Sequence, residues 1–169
     1  MDVLKEIVAR RSIRQFKSDP VEKEKVERIL EAGRLAPSAK NRQEWRFVVV
    51  QKQEIRERIK TAAYNQEWVG QAPLIIAVCT TNTGYRMPNG QLSHPIDLSF
   101  AAAFMTLQGV REGLGCCCLS TFDEEDVKNI LSVPYSMKIV LLLVMGYADE
   151  QPEAGIRKPL RTITAYNHW

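Results

Sequence analysis

Two hydrophobic periods alternate along the chain. Apolar residues spaced three and four apart predict helices, and short continuous apolar runs bounded by turn residues predict strands. A short helix covers Asp2 to Ala9. Asp19-Pro20 then places a capping residue before a proline at a first helical position, and Val26, Ile29, Leu30 and Gly33 share one face of a helix that ends near Ala36-Pro37. Arg46 to Gln51 reads as a strand, Glu54 to Ala63 as a helix, and Leu74 to Thr80 as an apolar strand of the sheet interior. Gly113-Leu114-Gly115 closes a long helix from Pro95 to Glu112. Cys116 to Ser120 is a strand, Asp123 to Leu131 an acidic-started helix, and Lys138 to Ala148 the last core strand. The order predicts an α+β fold of mixed α/β character, organised as one unit over residues 1–169 without repeats or an obvious linker.

Two stretches depart from this pattern. Leu98, Ala101, Ala102, Phe104, Met105, Leu107 and Val110 cover so much of the Pro95–Glu112 helix that it must be central or meet a second subunit. Residues 150–169 carry two prolines, three basic side chains and a terminal tryptophan without periodicity, which predicts a tail that wraps something. The loop from Thr81 to His94, with Tyr85, Arg86 and Met87, either shapes a substrate pocket or merely connects two elements.

A chain of 169 residues suits one domain that buries roughly 70% of its unfolded surface. With 23 basic against 20 acidic residues the formal charge is only +3, and no basic run tracks a nucleic-acid backbone, so nucleic acid is not an expected partner. The start lacks a signal-peptide pattern and the longest apolar run, Ile139 to Met145, is too short to cross a bilayer; the expectation is a cytoplasmic protein without membrane contact. Cys79 stands alone and Cys116, Cys117 and Cys118 are contiguous. No C-x-x-C pair exists, so no metal site is expected and the run reads as small apolar residues of a buried strand.

The candidate chemistry lies near the start. Arg10-Arg11-Ser12-Ile13-Arg14 sets three guanidiniums and a hydroxyl within five residues, a donor set suited to a phosphate. The same arginines could instead cap the carbonyls of the first helix. Pro37-Ser38-Ala39-Lys40-Asn41-Arg42-Gln43-Glu44-Trp45 presents amides that can read the edge of a heterocycle. Trp45 and Phe47 open an apolar strand and read as core; His94, beside Pro95, reads as a surface or helix-start residue, with substrate binding as the alternative. Gly113-Leu114-Gly115 follows a helix and opens a strand, the reverse of a dinucleotide fingerprint.

In this order and separation, Arg10-Arg11-Ser12-x-Arg14-x-Phe16 and Pro37-Ser38-x-x-Asn41-x-Gln43-x-Trp45-x-Phe47 resemble the FMN-binding segments of the nitroreductase family. The resemblance continues through Gln66, Ala72-Pro73, Asp97, Gly113-Leu114-Gly115, Phe122-Asp123-Glu124-Glu125 and Arg157-Lys158-Pro159-Leu160. It implies a mixed central sheet flanked by helices, in a homodimer with an exchanged C-terminal tail and two FMN sites at the subunit interface. On that resemblance Arg10, Arg11, Ser12 and Arg157 hold the phosphate and ribityl end, and Arg14 lies near the flavin N1 and C2 carbonyl. Pro37, Ser38, Asn41 and Gln43 line the ring from the other subunit, with weaker contacts from Gln66, Leu119 and Ser120.

Three departures stand out. Glu44 replaces a common proline, implying a looser, more negative loop; Gly155 replaces a basic residue found in some relatives; and the cysteine run replaces a segment that often includes a tryptophan, implying a roomier pocket. The implied activity is an FMN-dependent oxidoreductase passing electrons from NADH or NADPH, bound transiently over the flavin, to a small acceptor such as a nitroaromatic or quinone. A non-catalytic flavin carrier or sensor, a reductive dehalogenase and a flavin-fragmenting enzyme are the alternatives.

Overall fold

The computed structural model describes residues 3–169. Four strands, β1 (Trp45–Val50), β2 (Leu74–Thr80), β3 (Gly115–Leu119) and β4 (Lys138–Gly146), form one sheet in the order β1-β2-β4-β3. All three pairings are antiparallel. Among the described residues, the mixed character implied by the resemblance is therefore confined to an isolated parallel bridge between Ser12 and Cys116.

Both faces of the central pair are covered. Along β2, Leu74, Ile76 and Val78 pack on one side with Leu98, Ala101 and Met105, and Ile75, Ala77 and Cys79 pack on the other with Ile59, Val69 and Val127. The first layer is made by α2 (Lys23–Arg34) and α5 (Ser93–Arg111); the second by α3 (Gln53–Ala62), α4 (Glu67–Gln71) and α6 (Glu124–Leu131). Strand alternation thus turns the unbroken apolar run into a wall between two cores. Trp45 is core, as its position predicts, and Phe47 packs against it half-buried.

Most predicted elements occur within a few residues of their expected ends. The first helix, α1, runs Lys5–Ala9, and the expected start at Asp2 lies outside the described residues. The second helix begins at Lys23, not Pro20, and Asp19 is not its cap. Val21 is buried and its carbonyl accepts from Gln51 Nε2 at 3.0 Å, and Glu22 after it is still extended. The short α4 has no counterpart in the periodicity. The central helix is not buried all round either: Phe100 and Phe104 remain 46% and 41% exposed. Phe104, Leu107, Leu4 and Leu35 line an apolar groove of about 570 Å³ between α1, α2 and α5. No helix among the described residues is long and apolar enough to cross a membrane.

An ion pair ties the two helices of the first layer. Arg28 donates through Nε and Nη2 to the two oxygens of Glu112, each at 2.8 Å, and Gln108 Nε2 donates to Oε1 at 2.7 Å. The Arg28 guanidinium holds the Glu112 carboxyl down to about 2 against an ordinary 4.5. Because the folded value is depressed, this contribution is full above about pH 4.5 and is lost as pH falls towards 2. Arg28→Ala is expected to lower Tm by roughly 3 °C at pH 7. Over pH 5 to 2 its Tm should fall less steeply than that of the parent protein, the remaining slope coming from Glu124 and other carboxylates; thermal melts across that range check both.

Candidate flavin site

Apolar anchors hold the arginine segment in place. Ile13 and Phe16 are buried in the second core, while Ser12 and Arg14 stay exposed between them. The backbone is pinned to the sheet end by Ile13 N donating to Cys116 O at 3.1 Å and Lys17 N to Tyr147 O at 2.9 Å. Asp149 N returns a bond to Gln15 O at 2.9 Å, and Glu150 Oε1 accepts from the N–H groups of Arg14 and Gln15. Gly115 makes room for this crossing, since a Cβ there would lie 2.6 Å from Ile13 Cγ1.

Arg10, Arg11, Ser12, Arg14 and Arg157 converge on one polar cleft of about 550 Å³. Four guanidiniums and a hydroxyl give this cleft the charge and donor types that recognise an anionic oxygen group such as a phosphate. Arg11 also serves the alternative role: its Nη1 donates to Val8 O and Arg10 O at 2.8 Å each, capping α1. Arg157 Nη1 rests on the carbonyls of Gly155 and Ile156 at 3.3 Å, leaving its remaining donors to the cleft. Arg14 lies 5.9 Å from the centre of the Trp68 ring, a neighbour absent from the sequence reading because it belongs to the unforeseen α4.

Gln66, at the start of α4, acts as a brace. Its Nε2 donates to Ala63 O at 3.0 Å and Thr121 O at 3.3 Å, fastening the α3–α4 turn to the end of β3. Leu119 is buried there and Ser120 is exposed.

The second predicted group lies elsewhere. Pro37, Ser38, Asn41 and Gln43 occupy the turn between α2 and β1 and do not line the guanidinium cleft. Lys40, Asn41 and Gln43 take φ of 54°, 53° and 53°, a left-handed conformation that costs non-glycine residues of order 1–3 kcal/mol each. Three bonds sustain it: Gln43 N to Ser38 Oγ at 3.0 Å, Asn41 N to Ser38 O at 2.9 Å, and Ala39 N to the buried Asp97 Oδ1 at 2.9 Å. The amides of Asn41 and Gln43 are left exposed. Glu44 does not loosen this turn, contrary to expectation, because Asn82 Nδ2 donates to its Oε2 at 2.7 Å and Arg42 lies 3.6 Å from its Oε1. The 81–92 loop is thereby packed against the turn.

The Nitroreductase family model matches residues 7–66 and 60–147. The chain belongs to the nitroreductase family. It is 36% identical over 184 residues to an FMN reductase [NAD(P)H] of Bacillus subtilis, covering 99% of this chain and 73% of that one. A putative NADH dehydrogenase/NAD(P)H nitroreductase of Methanothermobacter thermautotrophicus is 30% identical over 156 residues, covering 90% and 80%. The crystal structure of a nitroreductase family protein from Clostridium difficile 630 superposes with a TM-score of 0.86 at 31% identity, covering all of both chains.

Two smaller expectations for this family member change. His94 is the helix-start residue expected, second in α5, but not at the surface: it is 5% exposed, its Nδ1 has no partner, and burial keeps its imidazole below the ordinary value. The cysteine run is only partly buried: Cys116 and Cys118 share one face of β3, yet Cys116 is buried against Thr106, Sγ to Oγ1 3.5 Å, whereas Cys118 is exposed. The neighbouring Cys118 thiol and burial push the Cys116 thiol well up, and the same contact pulls the Cys118 thiol down. No group of three or more His, Cys, Asp or Glu side chains that could hold a metal ion occurs among the described residues.

The crossing at Gly115 yields a test of the arginine segment. Gly115→Ala should push Ile13 off β3, cost about 1–3 kcal/mol in denaturant unfolding, and weaken flavin-nucleotide binding although no ligand-facing side chain is altered. Gly84→Ala, whose added Cβ meets nothing within 4 Å, is the control.

Proposed function

We propose that this member of the nitroreductase family is an FMN-dependent oxidoreductase that takes electrons from NADH or NADPH and delivers them to a small acceptor such as a nitroaromatic or quinone. The carrying observation is the convergence of Arg10, Arg11, Ser12, Arg14 and Arg157 on one cleft. When bound, FMN supplies the redox chemistry. The chain itself binds and orients. Arg10, Ser12 and Arg157 would take the phosphate, with Arg11 divided between phosphate and helix end. Arg14, stacked near Trp68, would hold a fixed positive charge at the ring edge that becomes electron-rich, where such a charge stabilises the reduced form. Asn41 and Gln43, framed by Pro37 and Ser38, would bond the ring edge.

Since these two groups sit apart in one chain, we infer that the complete site is built by two chains, the ring readers of one facing the phosphate cleft of the other. Further support comes from apolar surface without cover in a single chain. Phe100 and Phe104 project from α5, and the tail presents Ile156, Leu160, Ile163, Tyr166 and Trp169 at 100%, 63%, 57%, 84% and 91% exposure. Burying a side chain of this size contributes about 1.5–3 kcal/mol, so a partner surface that takes several of them makes a stable homodimer.

Purified protein should carry a flavin absorption spectrum and oxidise NADH or NADPH faster when a nitroaromatic or quinone is added. Arg157→Ala is expected to weaken FMN binding roughly tenfold to a hundredfold while riboflavin, which lacks the phosphate, barely changes. Equilibrium titration of apoprotein with both flavins measures this, and equal losses would remove Arg157 from the phosphate site. Truncation after Asp149 should release flavin and expose apolar surface. Full-length protein that scatters light as a monomer at micromolar concentration, with flavin retained, would overturn the dimeric site.

A further inference from the structure

The turn that presents Asn41 and Gln43 also carries two cations that flavin binding does not use. Lys40 and Arg42 are exposed and alternate with the two amides along the strained backbone. Both sit over one ring: the Arg42 guanidinium carbon is 4.1 Å and Lys40 Nζ 5.6 Å from the centre of Tyr85. That ring is a fixed platform. Asn82 Oδ1 accepts from Gly84 N at 3.1 Å and Tyr85 N at 2.9 Å, and Tyr85 O accepts from Ser93 N at 3.1 Å. Glu44 anchors the whole loop, through Oε2 to Asn82 and through its carbonyl, which accepts from Thr81 N at 3.1 Å.

Charge is layered across this feature. The carboxylates lie inward, with Asp97 buried against Ala39 N and Glu44 half-buried against Asn82, whereas the cations lie outward. A guanidinium stacked on an aromatic face keeps its in-plane N–H donors off the ring, because the ring engages only its flat side. Arg42 Nη1 lies 3.6 Å from Glu44 Oε1, an ion pair on one edge that leaves its other N–H groups for a ligand. Stacked on a rigid ring, the group is already oriented before a ligand arrives.

We propose that Lys40 and Arg42, seated on Tyr85, form a subsite for an anionic oxygen group, carboxylate or phosphate, of the substrate that reacts beside Asn41 and Gln43. Glu44 and Asn82 are its positioning residues. The inference rests on the flavin-dependent activity proposed above and names its substrate class: charged acceptors, or the phosphorylated dinucleotide, are preferred to their neutral or unphosphorylated counterparts.

Two matched pairs of substrates test it on FMN-saturated enzyme. Nitrobenzene and 4-nitrobenzoate differ by one carboxylate, and NADH and NADPH by one phosphate. In the double variant Lys40→Gln/Arg42→Gln, KM for the more anionic member relative to its counterpart should rise roughly three- to tenfold in at least one pair at low ionic strength. The difference should shrink in about 1 M salt, where the screening length is about 3 Å. A response in the first pair assigns the subsite to the acceptor, in the second to the electron donor. Both Glu44→Ala and Glu44→Gln remove the charge paired with Arg42, but only Glu44→Gln can still accept from Asn82, so the ratio should be higher in Glu44→Ala, where the Tyr85 loop is freed, than in Glu44→Gln. Unchanged ratios in both pairs overturn the subsite and leave the oxidoreductase reading standing. A flavin-loaded parent protein that oxidises neither dinucleotide overturns that reading and the subsite with it.

Discussion

The burial of both faces of the β2–β4 pair is the constraint on which everything else hangs. A strand apolar at every position has no side to show to water, so it must sit between two layers. In this chain Leu74 to Thr80 is wholly buried, and α2 with α5 on one side and α3, α4 and α6 on the other are there to cover it. The functional segments are then attached at the margins of this wall. The arginine segment crosses the end of β3 and β4, and the amide-bearing turn leads directly into β1.

Each margin solves the same problem differently. Charged and polar side chains must be held still without being buried, since burial of an unpaired guanidinium or amide is costly. At the arginine segment the solution is alternation, with Ile13 and Phe16 sunk into the core and Glu150 gripping two backbone N–H groups, so that Ser12 and Arg14 point outward from a fixed backbone. At the amide-bearing turn it is local strain offset by Ser38 and Asp97, which hold three left-handed residues in place. Glu44 extends that second solution, since a carboxylate that could have loosened the turn is satisfied by Asn82 and Arg42 and locks a neighbouring loop to it.

The parts of this protein visible in its sequence are those governed by local patterning. The unbroken run Leu74–Thr80, the periodic face of Val26, Ile29 and Gly33, and the acidic start of α6 each reflect neighbours a few residues away, and each was legible to within a residue or three at the ends. The motif residues were legible too, as a donor set and an amide set, because their chemistry is carried by side-chain type. What failed locally failed through distant partners. Val21 is buried with its carbonyl held by Gln51, thirty positions along the chain, and α2 starts only after it; α4 is too short to show a period; and His94 is buried by elements that meet only after folding.

By itself, then, the sequence determined the order of elements, the inward-facing residues of the strands and the chemical character of the two candidate segments, since all three follow from side-chain type and spacing. The grouping of Arg157 with Arg10, Arg11 and Ser12 came from the family resemblance, and the tertiary structure brings them together with Arg14 across more than a hundred residues of chain. Only the tertiary structure decided that Trp68 lies beside Arg14 and that Tyr85 lies beneath Lys40 and Arg42. The physical reason is that such contacts depend on where rigid layers place chain ends in space, and no period along a strand or helix encodes the distance between two loops.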